Sequence, residues 1–379
     1  MTETLTSRQT PFLALDLVQM KANVAALRAR LDGLGVPLRP HLKTVKCIEA
    51  ARHILAAPEG PATVSTLQEA EAFAGAGLRD MIYTVGIAPG KLDRVIALRR
   101  AGVDIAVILD SLAQAQAVAG ASRRAGLEIP ALIEIDSDGA RAGIRADNPL
   151  LTEIGGILHR DGAELRGVLT HAGASYACFT PEAHRAMAET ERRSAVTAAE
   201  HLRTAGLPCP VVSVGSSPTA HTATDLSGVT EVRAGVFTLF DLMMVGLGIC
   251  DIEDIAASVI ATVIGHQPDR DWIVTDAGYM ALSRDDGTAS HPVHNGFGLV
   301  CDLDGRPYPD LIVRSTNQEH GILTLRPGSP ATLPALELGA RVRILPIHAC
   351  ATVAMHPNFA VLEPGTDRIA EYWPIMRGW

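Results

Sequence analysis

Three groups of residues in this chain have the types and spacing for covalent catalysis, anion binding and metal ligation. The first is Pro-Leu-Arg-Pro-His-Leu-Lys-Thr at 37–44, where Lys43 follows Arg39 and His41 at alternate positions. A lysine amine becomes a covalent catalyst when desolvation or a nearby cation favours its uncharged form, which then condenses with a carbonyl to a Schiff base. If the stretch is a strand, Arg39, His41 and Lys43 share one face, which is then cationic, and Leu38, Pro40 and Leu42 the other. The second group is Ser213-Val-Gly-Ser-Ser-Pro-Thr219 with Arg233-Ala-Gly235. Gly215, Ser216 and Thr219 offer peptide N–H groups and hydroxyls with little bulk, and Gly235 frees backbone beside them, which suits a phosphate. The third is Pro346-Ile-His-Ala-Cys-Ala-Thr352. On a strand, His348 and Cys350 point the same way, so an imidazole and a thiolate converge on one metal ion, a pair that suits zinc. Two protein ligands leave room for water or substrate, as an open catalytic site requires.

A Schiff-base lysine and a phosphate cradle are together the two handles by which a protein holds pyridoxal 5'-phosphate. Positioning them requires a scaffold, and the chain supplies a repeated one. Eight apolar, β-branched runs alternate with Ala-rich helical segments: Leu38–Lys43, Ala62–Ser65, Met81–Val85, Ile105–Leu109, Ala131–Ile135, Leu165–Leu169, Val211–Val214 and Val232–Phe237. Strands alternating with helices imply parallel β-α-β units, and eight of them imply a closed (β/α)8 TIM-like barrel. Functional groups of such a barrel gather where strands end. Lys43 ends the first run, Arg141 follows the fifth, and His171 and Tyr176 follow the sixth, with Arg141 and Tyr176 as candidates to face the cofactor ring. From about residue 255 the texture changes to short apolar runs separated by Pro, Gly, Asp and Asn, which predicts a second, mainly β domain. The expected division is 1–250 for the barrel and 251–379 for the β domain, with the first residues free to pack on the latter.

Composition limits the partners. The 379 residues carry a formal net charge of -9 with no basic run, which argues against nucleic acid. No apolar run is long enough for a bilayer span, and the N-terminus lacks the basic start and apolar core of an export signal, so a soluble cytoplasmic protein is expected. Six scattered cysteines read as reduced thiols, one of which is a candidate ligand.

In these residues the chain resembles the D-serine dehydratase and D-threonine aldolase family of pyridoxal-phosphate enzymes, which share the alanine-racemase barrel. The likeness rests on Arg-Pro-His-Leu-Lys-Thr around Lys43, Val-Ser-Thr-Leu-Gln-Glu-Ala-Glu from Val64, Thr-His-Ala-Gly from Thr170, Ser-Val-Gly-Ser from Ser213 and Glu-Val-Arg-Ala-Gly from Glu231. Asp276-Ala-Gly278, Gln318-Glu-His-Gly321 and His348-Ala-Cys350 extend it through the second domain. It implies that Lys43 is the cofactor lysine, that His41, Arg141, His171, Tyr176, Gly215, Ser216, Thr219 and Gly235 bind the cofactor, and that His348 and Cys350 hold a divalent metal. It further implies a homodimer and a D-amino acid substrate. Cysteine at 350 resembles the dehydratase branch, where the ion is zinc, more than the aldolase branch, where a carboxylate holds manganese or magnesium. The expected reaction is dehydration of D-threo-3-hydroxyaspartate or D-serine to a keto acid and ammonia. Retro-aldol cleavage to glycine and an aldehyde is the alternative.

Overall fold

The computed structural model describes residues 3–379. In chain order its strands are β1 (Phe12–Leu15), β2 (Leu38–Pro40), β3 (Ala62–Val64), β4 (Asp80–Gly86), β5 (Asp104–Leu109), β6 (Pro130–Ile135), β7 (Glu164–Thr170), β8 (Val211–Val214), β9 (Glu231–Ala234), β10 (Ala257–Gln267), β11 (Trp272–Thr275), β12 (Leu299–Cys301), β13 (Pro307–Thr316), β14 (Gly321–Leu325), β15 (Arg341–Leu345), β16 (Asn358–Leu362) and β17 (Ile369–Pro374). The chain divides into two compact units. One holds Ala25–Lys43, Ala51–Gly235 and Gly378–Trp379; the other holds the residues up to Val24, Thr44–Ala50 and Val236–Arg377. The division therefore falls at Gly235, ahead of the expected junction at 250.

The first unit is the eight-stranded parallel barrel. Its strands run β2-β9-β8-β7-β6-β5-β4-β3, and the bridge between His41 and Thr63 joins the two ends. Each of the eight expected runs forms one barrel strand. Helices between them carry their own start signals: Thr66, Ser111 and Thr180 cap Leu67–Gly75, Leu112–Ala125 and Pro181–Thr204 by accepting the N–H of the third helical residue. The strand register places Thr63, Ile82, Ala106, Ile108, Leu132, Leu169, Ser213, Glu231, Arg233 and Arg39 on one continuous inner surface. One side of that interior is apolar, with Ile82, Ala106, Ile108, Leu132 and Leu169 packed as a cluster. The opposite side, on β2, β8 and β9, is polar.

The second unit is a nine-stranded sheet in the order β11-β14-β13-β12-β15-β10-β1-β16-β17. Pairing of β10 with both β11 and β15 closes six strands on themselves, and β1, β16 and β17 extend from β10. All neighbours are antiparallel except β1 and β16. Leu242, Leu299, Cys301, Ile312, Leu345 and Ile347 form one core of this unit. Among the described residues no helix is long and apolar enough to cross a membrane, and the six cysteines are free thiols.

Candidate active site

At the barrel mouth, β2 stops at Pro40 and residues 42–45 turn, so Lys43 sits in a turn and not on a strand as the alternation suggested. The expected cationic face does not form either. Arg39 points into the barrel, where Nε donates to Glu231 at 2.7 Å and NH1 to Asp80 at 2.7 Å. His41 accepts the Lys43 backbone N–H on Nδ1 at 3.4 Å, which leaves the ring proton on Nε2 for the Thr84 hydroxyl at 3.0 Å. Burial, then the charges of Lys43 and Arg233, hold its pKa well below the usual imidazole value, so the ring is neutral.

His171, at the end of β7, donates from Nδ1 to the Gly215 carbonyl at 2.9 Å. Burial lowers its pKa to about 3; the bond to Gly215 opposes the shift, and the charges of Arg141, Lys43 and Arg233 add to it. The Tyr176 ring lies 6.2 Å from that of His171. The mouth thus gathers Lys43, His41, His171, Tyr176 and Arg141. It also includes Arg233, which is 5% exposed and which the sequence marks only as part of the Arg233-Ala-Gly235 segment, with no role of its own. Among the described residues neither Lys43 nor Arg141 forms an ion pair, although the Arg141 charge acts on the Glu134 carboxyl, whose pKa burial raises.

His171 makes stability pH-dependent. An unfolded imidazole titrates near 6.5, so below that pH the unfolded chain binds a proton that the native one refuses down to about 3. The stabilising contribution is whole above about pH 6.5 and is lost progressively as pH falls toward 3. Between pH 7 and 4.5 the cofactor-free protein should lose about 2 kcal/mol more stability than its His171→Gln variant. Urea unfolding at both pH values measures the difference, and equal losses would reject this assignment.

The segment expected to cradle phosphate is differently employed. Ser216 caps the short helix Ser217–Thr222 reciprocally with Thr219: Ser216 N–H donates to Thr219 Oγ1 at 3.0 Å and Thr219 N–H to Ser216 Oγ at 3.2 Å. The Gly215 N–H donates to the buried Glu191 carboxylate at 3.0 Å, and the Ala172 N–H joins the same oxygen at 2.9 Å. The peptide donors of Gly215, Ser216 and Thr219 are thus satisfied internally. Gly215 itself is required by packing, because its φ is +141° and a Cβ there would lie 2.0 Å from the Arg233 carbonyl oxygen. Gly215→Ala should therefore destabilise the barrel by roughly 3 kcal/mol through separation of β8 from β9. Chemical denaturation of the cofactor-free protein tests this, and an unchanged midpoint would contradict it.

The metal pair meets the same kind of correction. His348 is the N-terminal cap of helix Ala349–Met355 and Cys350 lies in its first turn, so no strand alternation brings them together. The helix starts there because the buried Asp241 carboxylate accepts the Ala349 N–H at 2.9 Å, a partner 108 residues away. His348 and Cys350 nevertheless interact. Asp285 Oδ2 lies 2.5 Å from His348 Nδ1, and Cys350 Sγ lies 3.2 Å from the Thr44 hydroxyl. Burial disfavours the charged imidazole, but the bond to Asp285 and the adjacent Cys350 outweigh it and raise the His348 pKa to about 11. The cluster prefers a positive charge at its centre. A carboxylate on Nδ1 is also the arrangement that fixes a metal-binding histidine. Among the described residues no group of three or more His, Cys, Asp or Glu side chains is arranged to hold a metal, so an ion on this pair takes its other ligands from water or a bound molecule. Sequence reading missed Asp241 and Asp285, which carry no local spacing signal.

Comparison with known proteins adds the following. The family model described as alanine racemase, N-terminal domain, matches residues 15–242, and the putative serine dehydratase domain matches residues 256–362. The chain is 50% identical to D-threo-3-hydroxyaspartate dehydratase of Delftia sp. (strain HT23), with 100% of each chain covered. It is 29% identical to D-serine dehydratase of Dictyostelium discoideum, covering 96% of this chain and 95% of that one. Among solved structures, a cysteine-to-alanine mutant of a D-threo-3-hydroxyaspartate dehydratase in the metal-free form superposes with a TM-score of 0.95, at 50% identity and 100% coverage of both chains.

Proposed function

The chain belongs to the alanine racemase N-terminal domain family, and from that premise we propose that it is a pyridoxal 5'-phosphate- and metal-dependent dehydratase. Its proposed substrates are β-hydroxy D-amino acids, D-threo-3-hydroxyaspartate or D-serine, which it converts to the keto acid and ammonia. The observation that carries this reading is the 50% identity to a dehydratase over the whole length of both chains. The residues present fit the cofactor. The guanidinium groups of Arg141 and Arg233 act on the mouth beside His41 and His171, which are held neutral, and this positive potential suits an anionic phosphate.

Lys43 Nζ would hold the cofactor covalently, and His41, Arg141, His171 and Tyr176 would line it. Ser216, Thr219 and Gly235 remain the proposed phosphate side; the Ser216 and Thr219 hydroxyls are bonded to each other, that of Ser216 also to Ser175, and their peptide N–H groups are engaged as well, so a phosphate there would take over some of these bonds. When bound, pyridoxal phosphate supplies an electron sink for the charge left on Cα. Lys43 Nζ would serve as the base for the α-proton. His348 and Cys350 would hold the divalent ion, zinc in preference to manganese or magnesium because of the thiolate, and that ion supplies a Lewis acid for the departing hydroxyl oxygen. Asp285 fixes the His348 ring and Asp241 fixes the start of the helix that carries Cys350. The protein is proposed to work as a homodimer, as the resemblance implies, and in the cytoplasm, as its composition leads us to expect.

Product identification tests the reading. Purified protein with zinc or manganese should release ammonia with oxaloacetate from D-threo-3-hydroxyaspartate, or with pyruvate from D-serine. Glycine and an aldehyde as the main products would replace dehydration by retro-aldol cleavage.

A further inference from the structure

The polar side of the barrel interior is a single hydrogen-bonded series. At the N-terminal end of the strands, Asp80 accepts both terminal nitrogens of Arg39, at 2.7 and 3.2 Å. Arg39 Nε donates to Glu231 Oε2 at 2.7 Å, the Ser213 hydroxyl donates to Glu231 Oε1 at 2.6 Å, and Arg233 NH1 donates to Ser213 Oγ at 2.6 Å. Arg233 NH2 ends the series on the Thr170 carbonyl at 2.5 Å, one residue before His171. Arg39 and Arg233 are directly opposed in strand register, so two buried guanidinium groups repel across β2 and β9, and Glu231 is the carboxylate between them. Burial lowers the Arg233 pKa to about 10 against the pull of Glu231 and Glu191. Arg233 in turn acts on both imidazoles of the mouth.

We propose that Ser213 and Glu231 are positioning residues of the active site: the Ser213 hydroxyl, held by Glu231, fixes the Arg233 guanidinium at the mouth. This rests on the reading of the mouth as the pyridoxal-phosphate site. Ser213 is the informative position: among the described residues its hydroxyl is the hydrogen-bonded link from Glu231 to Arg233, and its removal leaves the Arg39–Glu231 pair intact.

The test compares Ser213→Ala, Ser213→Thr and Asp80→Asn in the full-length protein. Measured quantities are kcat, KM, the thermal midpoint, and the pyridoxal-phosphate dissociation constant by titration of cofactor-stripped protein. Ser213→Ala should lower kcat about tenfold with KM little changed, and weaken cofactor binding about tenfold. Ser213→Thr, which keeps the hydroxyl, should restore both. Asp80→Asn loosens Arg39 and should lower the thermal midpoint more than Ser213→Ala does, without the loss in kcat. Unchanged kcat and cofactor affinity in Ser213→Ala would overturn the proposal, and so would losses in all three variants that simply track their thermal midpoints. Failure of the functional reading appears differently, as wild-type protein that neither binds pyridoxal phosphate nor turns over, and it overturns the proposal as well.

Discussion

Lys43→Ala is expected to reduce turnover by about four orders of magnitude or more, the scale seen when a covalent catalytic group is removed. The folded protein should survive the change. Lys43 is a partly exposed turn residue with no ion pair among the described residues, so the variant should lie within about 0.5 kcal/mol of wild type in stability. The sequence also makes the assignment easy to challenge, because it contains only four lysines: Lys21, Lys43, Lys46 and Lys91. Lys91 donates to the Tyr83 hydroxyl at 3.0 Å, and Lys21 lies on the exposed side of helix Leu17–Gly33. Lys46 is the serious rival, three residues along the same segment. Borohydride reduction of the pyridoxal-phosphate-loaded protein followed by peptide mapping should place the label on Lys43, with Lys46→Ala still labelled and active. A label on Lys46, or a Lys43→Ala protein that still turns over, would remove Lys43 from the chemistry.

The barrel was legible because each strand is a β-branched or aliphatic run bounded by turn residues, and each following helix begins with its own capping hydroxyl, as Thr66, Ser111 and Thr180 do. The identities of the mouth residues were legible too, since strand ends of a parallel barrel converge. Their charge states were not. Arg39 looked like part of a field around Lys43, but its partners Glu231 and Asp80 come from distant strands, and no local pattern announces an inward guanidinium. The peptide N–H groups at Gly215, Ser216 and Thr219 looked available for the same reason: the Glu191 carboxylate that takes one of them belongs to helix Pro181–Thr204.

In the second unit the misses follow from composition. β13 begins Pro307-Tyr-Pro-Asp, which reads as a loop although its later half buries Leu311, Ile312 and Val313. The edge strand β17 buries only Ile369 and Trp373, too few for an apolar run. The segment that carries His348 and Cys350 reads as a strand from its local pattern, but Asp241 supplies a tertiary cap that makes Ala349–Met355 a helix.

Removal of the metal should have an effect of similar size on β-elimination with a different signature at Lys43. Hydroxide is a poor leaving group unless a Lewis acid carries its developing charge, so chelation or Cys350→Ala should lower product formation by about three orders of magnitude. The protein should remain folded, because Cys350 is only partly buried and the helix that carries it is held by Asp241 at its start. Cofactor attachment should also survive, since the amine of Lys43 needs no metal to condense with an aldehyde. The borohydride-reducible label then remains on Lys43 while ammonia release stops. Exchange of the substrate α-proton with deuterated solvent should persist in part, because it draws on Lys43 and the cofactor more than on the ion. Cys350→Asp sharpens the test: a carboxylate in place of the thiolate shifts preference from zinc toward manganese, so activity should return with added manganese and not with zinc. Metal analysis of each variant alongside its turnover completes the comparison. Full dehydratase activity in the stripped protein or in Cys350→Ala would leave His348 and Asp285 as a structural ion pair and require another acid for the leaving group.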